Sequence, residues 1–249
     1  MLIENEKGNY AFLKGIAPYS SGVIALPGYE VVYARLKQPL PWRDGFERID
    51  AHLKSVDRDR HALCGMALRC PEPYTMQGFI DFNTSYCDVL ESWDLYVDGA
   101  NPLARTNVSA EFASPTEASV YAFSYTVPAD HGQKTFVVAG AGELDSPKLI
   151  SEAIIRRGDI SSDAMREKAI YVMDVMEKRL VGLGGSRIDV TTTDVYTIHP
   201  VINVLEDIVF PRLGISAIHG VQWFHARPPI VEIEFEMDLR GVRSEIVIE

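Results

Sequence analysis

One arginine of the sequence has the surroundings of a carboxylate-binding residue. Arg105 lies in the segment 103–108, LARTNV, whose composition predicts a strand and therefore partial burial of the side chain. A guanidinium presents a rigid fork of donors that matches a carboxylate in two parallel hydrogen bonds. A buried arginine needs a partner. The sequence leaves two kinds open: a bound anion, or an internal acid such as Glu111 or an acid from the second half of the chain.

Two histidines and two glutamates near the end of the chain are residue types that can bind a metal ion. On an extended strand, alternation would place Glu232 and Glu234 on one face. The spacing of His219 and His225 is not that of a ligand pair, and no cysteine lies near them. The pattern therefore predicts no metal site.

Composition excludes several classes of protein. The chain has 249 residues, 47% hydrophobic and 24% charged, enough for one large domain or two of about 125 residues. Its net charge of −11 repels phosphate backbones, so we expect no nucleic-acid partner. The three cysteines form no CxxC motif and indicate neither a disulfide framework nor a zinc site. No signal peptide or membrane span is apparent, so we expect no membrane partner and a soluble, cytoplasmic protein.

Hydrophobic periodicity predicts the same order of elements in both halves of the chain. In the second half, Ser161 or Ser162 can cap a helix whose apolar stripe comprises Met165, Ala169, Val172, Met176 and Leu180. The first half is predicted to contain strands at 29–35, 62–70, 104–112 and 118–127 and helices at 42–56 and 77–95. The second half is predicted to contain strands at 135–139, 188–196, 220–224 and 230–238 and helices at 162–183 and 200–211.

This repeated order predicts an old duplication. We expect an α+β fold of two tandem βαβ-αββ modules, 1–130 and 131–249, each with its helices packed on one face of a mixed sheet. The other face of each sheet must then be covered by the sister module or by other chains.

Several segments resemble the Rid family of reactive intermediate deaminases, also called the YjgF or L-PSP family. Residues 17–20 (APYS) resemble its GPYSQ-type segment, and residues 79–86 (FIDFNTSY) resemble its DFxxFNxxY helix. Residues 102–108 (PLARTNV) resemble its P-x-ARTxV strand, the most specific of the three. In the second half the likeness is weaker and rests on 136–140 (FVVAG) and 231–234 (VEIE).

The resemblance implies a chorismate-mutase-like, YjgF-type fold in which three modules form a barrel with active sites in the clefts between them. A homotrimer of this chain is therefore expected, with another homo-oligomer as the alternative. Arg105 would bind the carboxylate of the substrate. Further substrate-binding candidates are Tyr19 at the pocket mouth, Asn83 on the helix, Gly140 through its backbone N–H, Asn107, where many members carry cysteine, and Trp223 as an apolar wall.

The two halves depart from the family pattern in different places. The family has a glutamate about fifteen residues after the arginine, but here that position is Val120 in a strand without acids. In the second half Glu234 fits the glutamate, and His219 stands where the arginine would be. Two explanations stay open. Either Arg105 of one module meets Glu234 or His219 of the other, with the histidine able to titrate near neutral pH, or the deaminase chemistry has been lost or altered.

The resemblance implies hydrolytic deamination of a small unsaturated carboxylic acid, in which water attacks an imine carbon. Arg105 would hold the carboxylate, and Glu234 or His219 would transfer the proton. We expect no cofactor, since imines hydrolyse readily once polarised and wetted. One alternative is a lyase, hydrolase or tautomerase of a cyclic or ring-opened unsaturated acid, chorismatase-like or aminomuconate-type. Another is a non-catalytic oligomer that binds a small acid.

Overall fold

The computed structural model describes residues 2–146 and 149–249. Within them the strands are β1 (Leu2–Asn5), β2 (Tyr10–Leu13), β3 (Gly22–Ala25), β4 (Tyr29–Pro41), β5 (Leu63–Cys70), β6 (Ala104–Ala110), β7 (Ser119–Pro128), β8 (Phe136–Gly142), β9 (Thr192–Tyr196), β10 (Gln222–Phe224), β11 (Ala226–Arg227), β12 (Glu236–Gly241) and β13 (Ser244–Ile248). The long helices are α1 (Trp42–Ser55), α2 (Met76–Ser92) and α3 (Ser162–Gly182). Shorter helical segments are α4 (Ile202–Val204), a π-helical turn (Leu205–Val209), α5 (Phe210–Leu213) and 3₁₀ turns at Arg60–Ala62, Ser151–Ala153, Arg187–Asp189 and Gly214–His219.

The strands form two mixed sheets with the same internal order. Sheet 1 has the order β11-β6-β5-β7-β4-β13, and sheet 2 has the order β1-β2-β3-β8-β12-β9-β10. The run β6-β5-β7-β4 of sheet 1 corresponds to β10-β9-β12-β8 of sheet 2. In both runs the first pair is parallel and the other two pairs are antiparallel. The repeat predicted from the order of elements is therefore present in the strand connectivity.

The ends of the chain cross between the two sheets. The N-terminal strands β1, β2 and β3 join sheet 2 through the pairing of β3 with β8, and the C-terminal strand β13 joins sheet 1 alongside β4. None of these four strands was predicted from the sequence. The two sheets are consequently built from segments on both sides of residue 130, the expected module boundary.

Two of the long helices, α2 and α3, have a side-chain cap at their first turn, and the cap of α3 is Ser161, one of the two residues expected there. Thr75 Oγ1 accepts a hydrogen bond from the Gly78 amide at 3.0 Å, and Ser161 Oγ accepts one from the Ala164 amide at 3.3 Å. All five residues of the apolar stripe predicted for α3 are buried. None of the described helices is long and apolar enough to span a membrane.

The strand predicted at 230–238 is wrong in its first half. Glu232 has a φ of 72°, in a turn, and the strand begins only at Glu236. A left-handed residue interrupts the alternation of an extended chain, so Glu232 and Glu234 do not share a strand face as expected.

Helices cover the outer faces of the sheets, and the inner faces pack on each other. Alternation along β2 shows this arrangement: Ala11 belongs to the core beneath α3, whereas Tyr10 and Phe12 belong to the core shared with sheet 1. A polar contact also joins the inner faces, since Thr106 Oγ1 donates to Asp238 Oδ2 at 2.7 Å. The sheets therefore meet through a closely packed layer, next to which the candidate site opens.

Candidate functional site

A cavity of about 420 Å³ lies where β6 of sheet 1 passes close to β8 of sheet 2. Its walls combine charged groups from both sheets with apolar side chains from the loops that enclose it. The lining residues used below are Lys14, Tyr19, Phe79, Arg105, Asn107, Gly140, Arg179, Ile230, Ile233 and Glu236. A concave site with a few convergent polar groups in apolar walls is the usual form of a small-molecule site.

Arg105 is buried in the cavity wall, 3% exposed, as the strand pattern predicted. Its Nη2 donates to Asn83 Oδ1 at 2.7 Å, while its Nη1 is buried with no hydrogen-bond partner among the described residues. The internal acid considered as a partner, Glu111, instead pairs with Arg227 at 2.9 Å. Four aromatic rings have their centroids between 4.8 and 6.0 Å from the Arg105 guanidinium carbon, those of Tyr19, Phe79, Phe82 and Tyr86.

Two asparagines beside Arg105 also have unused hydrogen-bonding atoms. Asn83 Nδ2 and both polar side-chain atoms of Asn107 are buried without a partner among the described residues. Buried polar groups are almost always hydrogen-bonded, because an unmet donor or acceptor costs about 1–3 kcal/mol. Arg105 Nη1 and the side-chain amide of Asn107, which both belong to residues that line the cavity, are suited to a bound carboxylate and its neighbouring groups, whereas Asn83 lies behind Arg105.

Glu236 is the acid of the cavity. It is the first residue of β12 and is 5% exposed. Burial raises the pKa of the Glu236 carboxyl well above its usual value, and the nearby Asp238 and Glu143 add to this increase against the opposing effect of Arg179 and Arg105. Burial and the two neighbouring acids therefore favour the proton-bearing form of the Glu236 carboxyl, and the two arginines oppose it.

Gly140 leaves the room that the Glu236 carboxyl occupies. A Cβ atom at residue 140 would collide with Glu236 Oε1 and would lie 3.0 Å from side-chain atoms of Thr106. The requirement for glycine here is thus steric and comes from packing against the acid.

Arg179 brings a second guanidinium to the cavity from α3. Its Nη1 donates to the carbonyl oxygens of Ala139 at 2.8 Å and Gly140 at 3.1 Å. Burial lowers the pKa of Arg179, and the neighbouring Tyr19 and Glu236 oppose that decrease. The guanidinium remains charged, since arginine does not lose its proton in proteins.

A buried ion pair fixes the segment that leads into β12. Lys168 Nζ lies 2.9 Å from Glu143 Oε1, and both side chains are 0% exposed. The Glu143 carboxylate also accepts hydrogen bonds from the backbone amides of Glu234 at 2.7 Å and Phe235 at 3.0 Å. These contacts hold the residues immediately before Glu236 in place.

An apolar cluster closes the cavity on one side. Phe79 of α2, Ile154 of the loop after β8, and Ile230 and Ile233 of the segment before β12 are buried together. This wall has no hydrogen-bonding groups and suits the hydrocarbon part of an unsaturated acid.

The structure brings together five of the eight site residues predicted from the sequence. Tyr19, Arg105, Asn107 and Gly140 line the cavity. Asn83 does not line it but accepts a hydrogen bond from Arg105. Their location in or beside the cavity does not test their roles in binding or catalysis, which remain predictions.

Glu234, His219 and Trp223 do not line this cavity. Glu234 Oε2 lies 2.8 Å from His199 Nε2, and His219 is exposed at the end of a 3₁₀ turn. Trp223 is 45% exposed and donates from Nε1 to the Thr197 carbonyl at 2.9 Å. Within this chain Arg105 therefore does not meet Glu234 or His219, and the buried acid of the cavity is Glu236, two residues further on.

The family model of the 2-aminomuconate deaminases (CnbZ) matches residues 2–246. The chain belongs to this family. It is 37% identical over 244 residues to a 2-amino-5-chloromuconate deaminase of Comamonas testosteroni, covering 97% of this chain and 96% of that protein. Among solved structures, a chorismatase aligns with a TM-score of 0.55 and 12% identity over 92% of this chain and 79% of its own, a likeness of fold alone. Membership of the wider Rid family remains a prediction.

Proposed function

We propose that this protein is an enzyme that hydrolytically deaminates a 2-aminomuconate-like acid, an unsaturated carboxylic acid carrying an enamine nitrogen next to a carboxylate. The observation that carries the proposal is that one cavity is lined by the buried Arg105 guanidinium, whose Nη1 has no partner among the described residues, and by the buried Glu236 carboxyl, whose pKa is raised by burial. The family and the chloromuconate-deaminating relative support the same reaction class.

Arg105 is the carboxylate-binding residue in this proposal. Its free Nη1 and the unpartnered amide nitrogen of Asn107 would donate hydrogen bonds to the carboxylate beside the reacting carbon. Each of these buried donors would thereby gain the acceptor that it lacks. The surrounding rings and Asn83 fix the orientation of the guanidinium, so that binding also orients the substrate.

Glu236 is the proton donor and then the base. The neutral carboxyl gives its proton to a carbon of the enamine, which becomes an iminium, and the carboxylate then takes a proton from the attacking water. Water adds to the iminium carbon to form a carbinolamine. The carbinolamine hydroxyl then loses its proton and its oxygen becomes the carbonyl, that proton is transferred to nitrogen, and the C–N bond breaks to release ammonia and the keto acid. The net reaction consumes one water, returns Glu236 to its protonated form and requires no oxidant or reductant.

The test is ammonia release from freshly prepared 2-aminomuconate by the wild-type protein and by Arg105→Lys. Lysine keeps the charge but loses the planar fork and its contact with Asn83. We expect kcat/KM to fall by about 30- to 1,000-fold, the usual effect of disrupting a buried charged contact. Arg227→Lys, which alters a partly exposed arginine paired with Glu111, is the control and should retain activity.

Absence of ammonia release by the wild-type protein would refute the proposed reaction. Equal activity of Arg105→Lys and wild type would show that the carboxylate binds elsewhere.

A further inference from the structure

Two guanidinium groups line the same cavity from opposite parts of the fold. Arg105 extends from β6 of sheet 1, whereas Arg179 extends from α3, which covers sheet 2. Both influence the ionisation of Tyr19 and of Glu236, which places these two residues near both cations. If Arg105 binds the only carboxylate of a ligand, the presence of the second guanidinium, that of Arg179, in the same cavity has no explanation.

Arg179 has unused hydrogen-bonding capacity. Its two contacts, with the carbonyls of Ala139 and Gly140, both come from Nη1. In residues 2–146 and 149–249 no acceptor is hydrogen-bonded to its Nε or Nη2, and no carboxylate forms an ion pair with it. A guanidinium has five N–H donors, so a face of Arg179 is left for a ligand.

The charge of the cavity interior is not balanced by the protein. Arg240, an arginine buried elsewhere in the fold, is ion-paired with Asp194 at 2.6 Å and with Glu245 at 2.8 Å. Among the described residues Arg105 and the half-buried Arg179 form no such ion pair, either with Glu236, which lines the same cavity, or with another acid. The cavity wall therefore presents two guanidinium groups without a paired carboxylate, and a ligand with two carboxylates would pair with both.

The charged residues at the rim of the cavity are less suited to bind a second carboxylate than Arg179 is. Lys14 is exposed there, and Asp145, also exposed, contributes the opposite charge. An exposed lysine among mobile water and salt binds a carboxylate weakly. The interior arginine is the better site for a second carboxylate.

We infer that Arg179 binds the second carboxylate of a dicarboxylic substrate and thereby selects dicarboxylates over monocarboxylates of the same length. The inference rests on the proposed function in taking Arg105 as the site of the first carboxylate. Arg179 is then a specificity-determining residue, and Glu236 lines the same cavity as both arginines.

The test uses two stable probes that differ only at one end. Muconate, in its trans,trans or cis,cis form, has two carboxylates, whereas the hexadienoate of the same geometry has a methyl group in place of one of them. We expect wild type to bind muconate more tightly, measured by calorimetry. Arg179→Gln should weaken muconate binding by about 10- to 100-fold, the value of a charged hydrogen-bonded contact, and change hexadienoate binding less than about twofold.

Three further variants separate specificity from structure. Arg179→Lys should retain part of the preference for muconate, since it keeps the charge. Arg105→Gln should weaken both probes, and Lys14→Gln should change neither by more than about twofold. Near-UV circular dichroism of each variant establishes that the packing of the fold is unchanged.

Several results would overturn the inference. Equal weakening of both probes by Arg179→Gln would assign Arg179 a structural role through the Ala139 and Gly140 carbonyls. Loss of the preference in Lys14→Gln would move the second site to the rim, and failure of wild type to prefer muconate would exclude a dicarboxylate site. Binding needs no turnover, so failure of ammonia release alone would refute the proposed reaction and leave this inference standing.

Discussion

Replacing Lys168 with methionine should destabilise the protein strongly although no exposed group changes. The Lys168 ammonium contacts the Glu143 carboxylate at 2.9 Å and the Ile155 carbonyl at 2.8 Å, and the lysine and glutamate side chains are 0% exposed. Methionine has a similar shape, so packing is kept while the positive charge is removed. The Glu143 carboxylate is then left buried with only the backbone amides of Glu234 and Phe235.

Removing one partner of a buried ion pair typically costs about 3–5 kcal/mol of unfolding free energy. The two amides still stabilise the Glu143 carboxylate, so we expect a value near the lower limit, about 3 kcal/mol. For a protein of this size that corresponds to a decrease in Tm of roughly 6–12 °C. The double variant Lys168→Met/Glu143→Gln removes the uncompensated charge and should recover at least about 1 kcal/mol of the loss.

Urea unfolding at several pH values measures these differences. Burial raises the pKa of Glu143, and Lys168 opposes this increase, so the pKa in folded Lys168→Met is higher than in folded wild type. A raised pKa in the folded state contributes stability below the unfolded value of 4.5, and this contribution is lost as pH rises through the folded pKa. Because the variant has the larger increase, it loses more stability than wild type, and its deficit should be larger at pH 8 than at pH 5. A deficit below about 1 kcal/mol at pH 8, or a double variant as unstable as the sum of the single variants, would refute the reasoning.

Three further predictions concern the site, the inner layer and the assembly. Gly140→Ala should lower kcat/KM and destabilise the protein by about 1–3 kcal/mol, measured by ammonia release and urea unfolding, because its Cβ collides with the Glu236 carboxyl. Burial and the charge of Asp238 raise the pKa of Asp194 to about 7, so stability should fall as pH rises from 4 to 8, and more steeply in wild type than in Asp194→Asn by calorimetry. The expected homotrimer should give a light-scattering mass three times the chain's 27.8 kDa, and a monomer would contradict it.

The fold could be predicted where periodicity is strong. The helix at 162–183 was found because Met165, Val172, Met176 and other apolar residues recur on one face, and this face is buried beneath the sheet. The strands β1 to β3 were missed because each has only four residues. Which sheet a terminal strand joins depends on distant pairing, such as that of β13 with β4, which local pattern does not encode.

The site residues that could be predicted are those in a segment that resembles a family motif. Arg105 and Asn107 lie in the most specific of the family segments, and both line the cavity. Glu236 was missed because the motif count ended at Glu234, whereas the turn at Glu232 shifts the start of the strand. Residues 231–239 alternate apolar residues with acids, so Glu232, Glu234, Glu236 and Asp238 all have apolar neighbours and the local sequence does not distinguish Glu236. Arg179 carried no signal either, since a charged residue near the end of an amphipathic helix usually faces solvent.

The role of Glu236 is tested most directly by comparing Glu236→Gln with Glu234→Gln in ammonia release from 2-aminomuconate. Both substitutions remove an ionisable group of the same size, two residues apart, but only residue 236 lines the cavity, whereas Glu234 contacts His199. We predict that Glu236→Gln lowers kcat by about 100- to 10,000-fold, the usual contribution of an acid–base group, and that Glu234→Gln stays within a few-fold of wild type. The reverse pattern, or equal activity of both variants, would contradict the assignment of Glu236 as the proton donor.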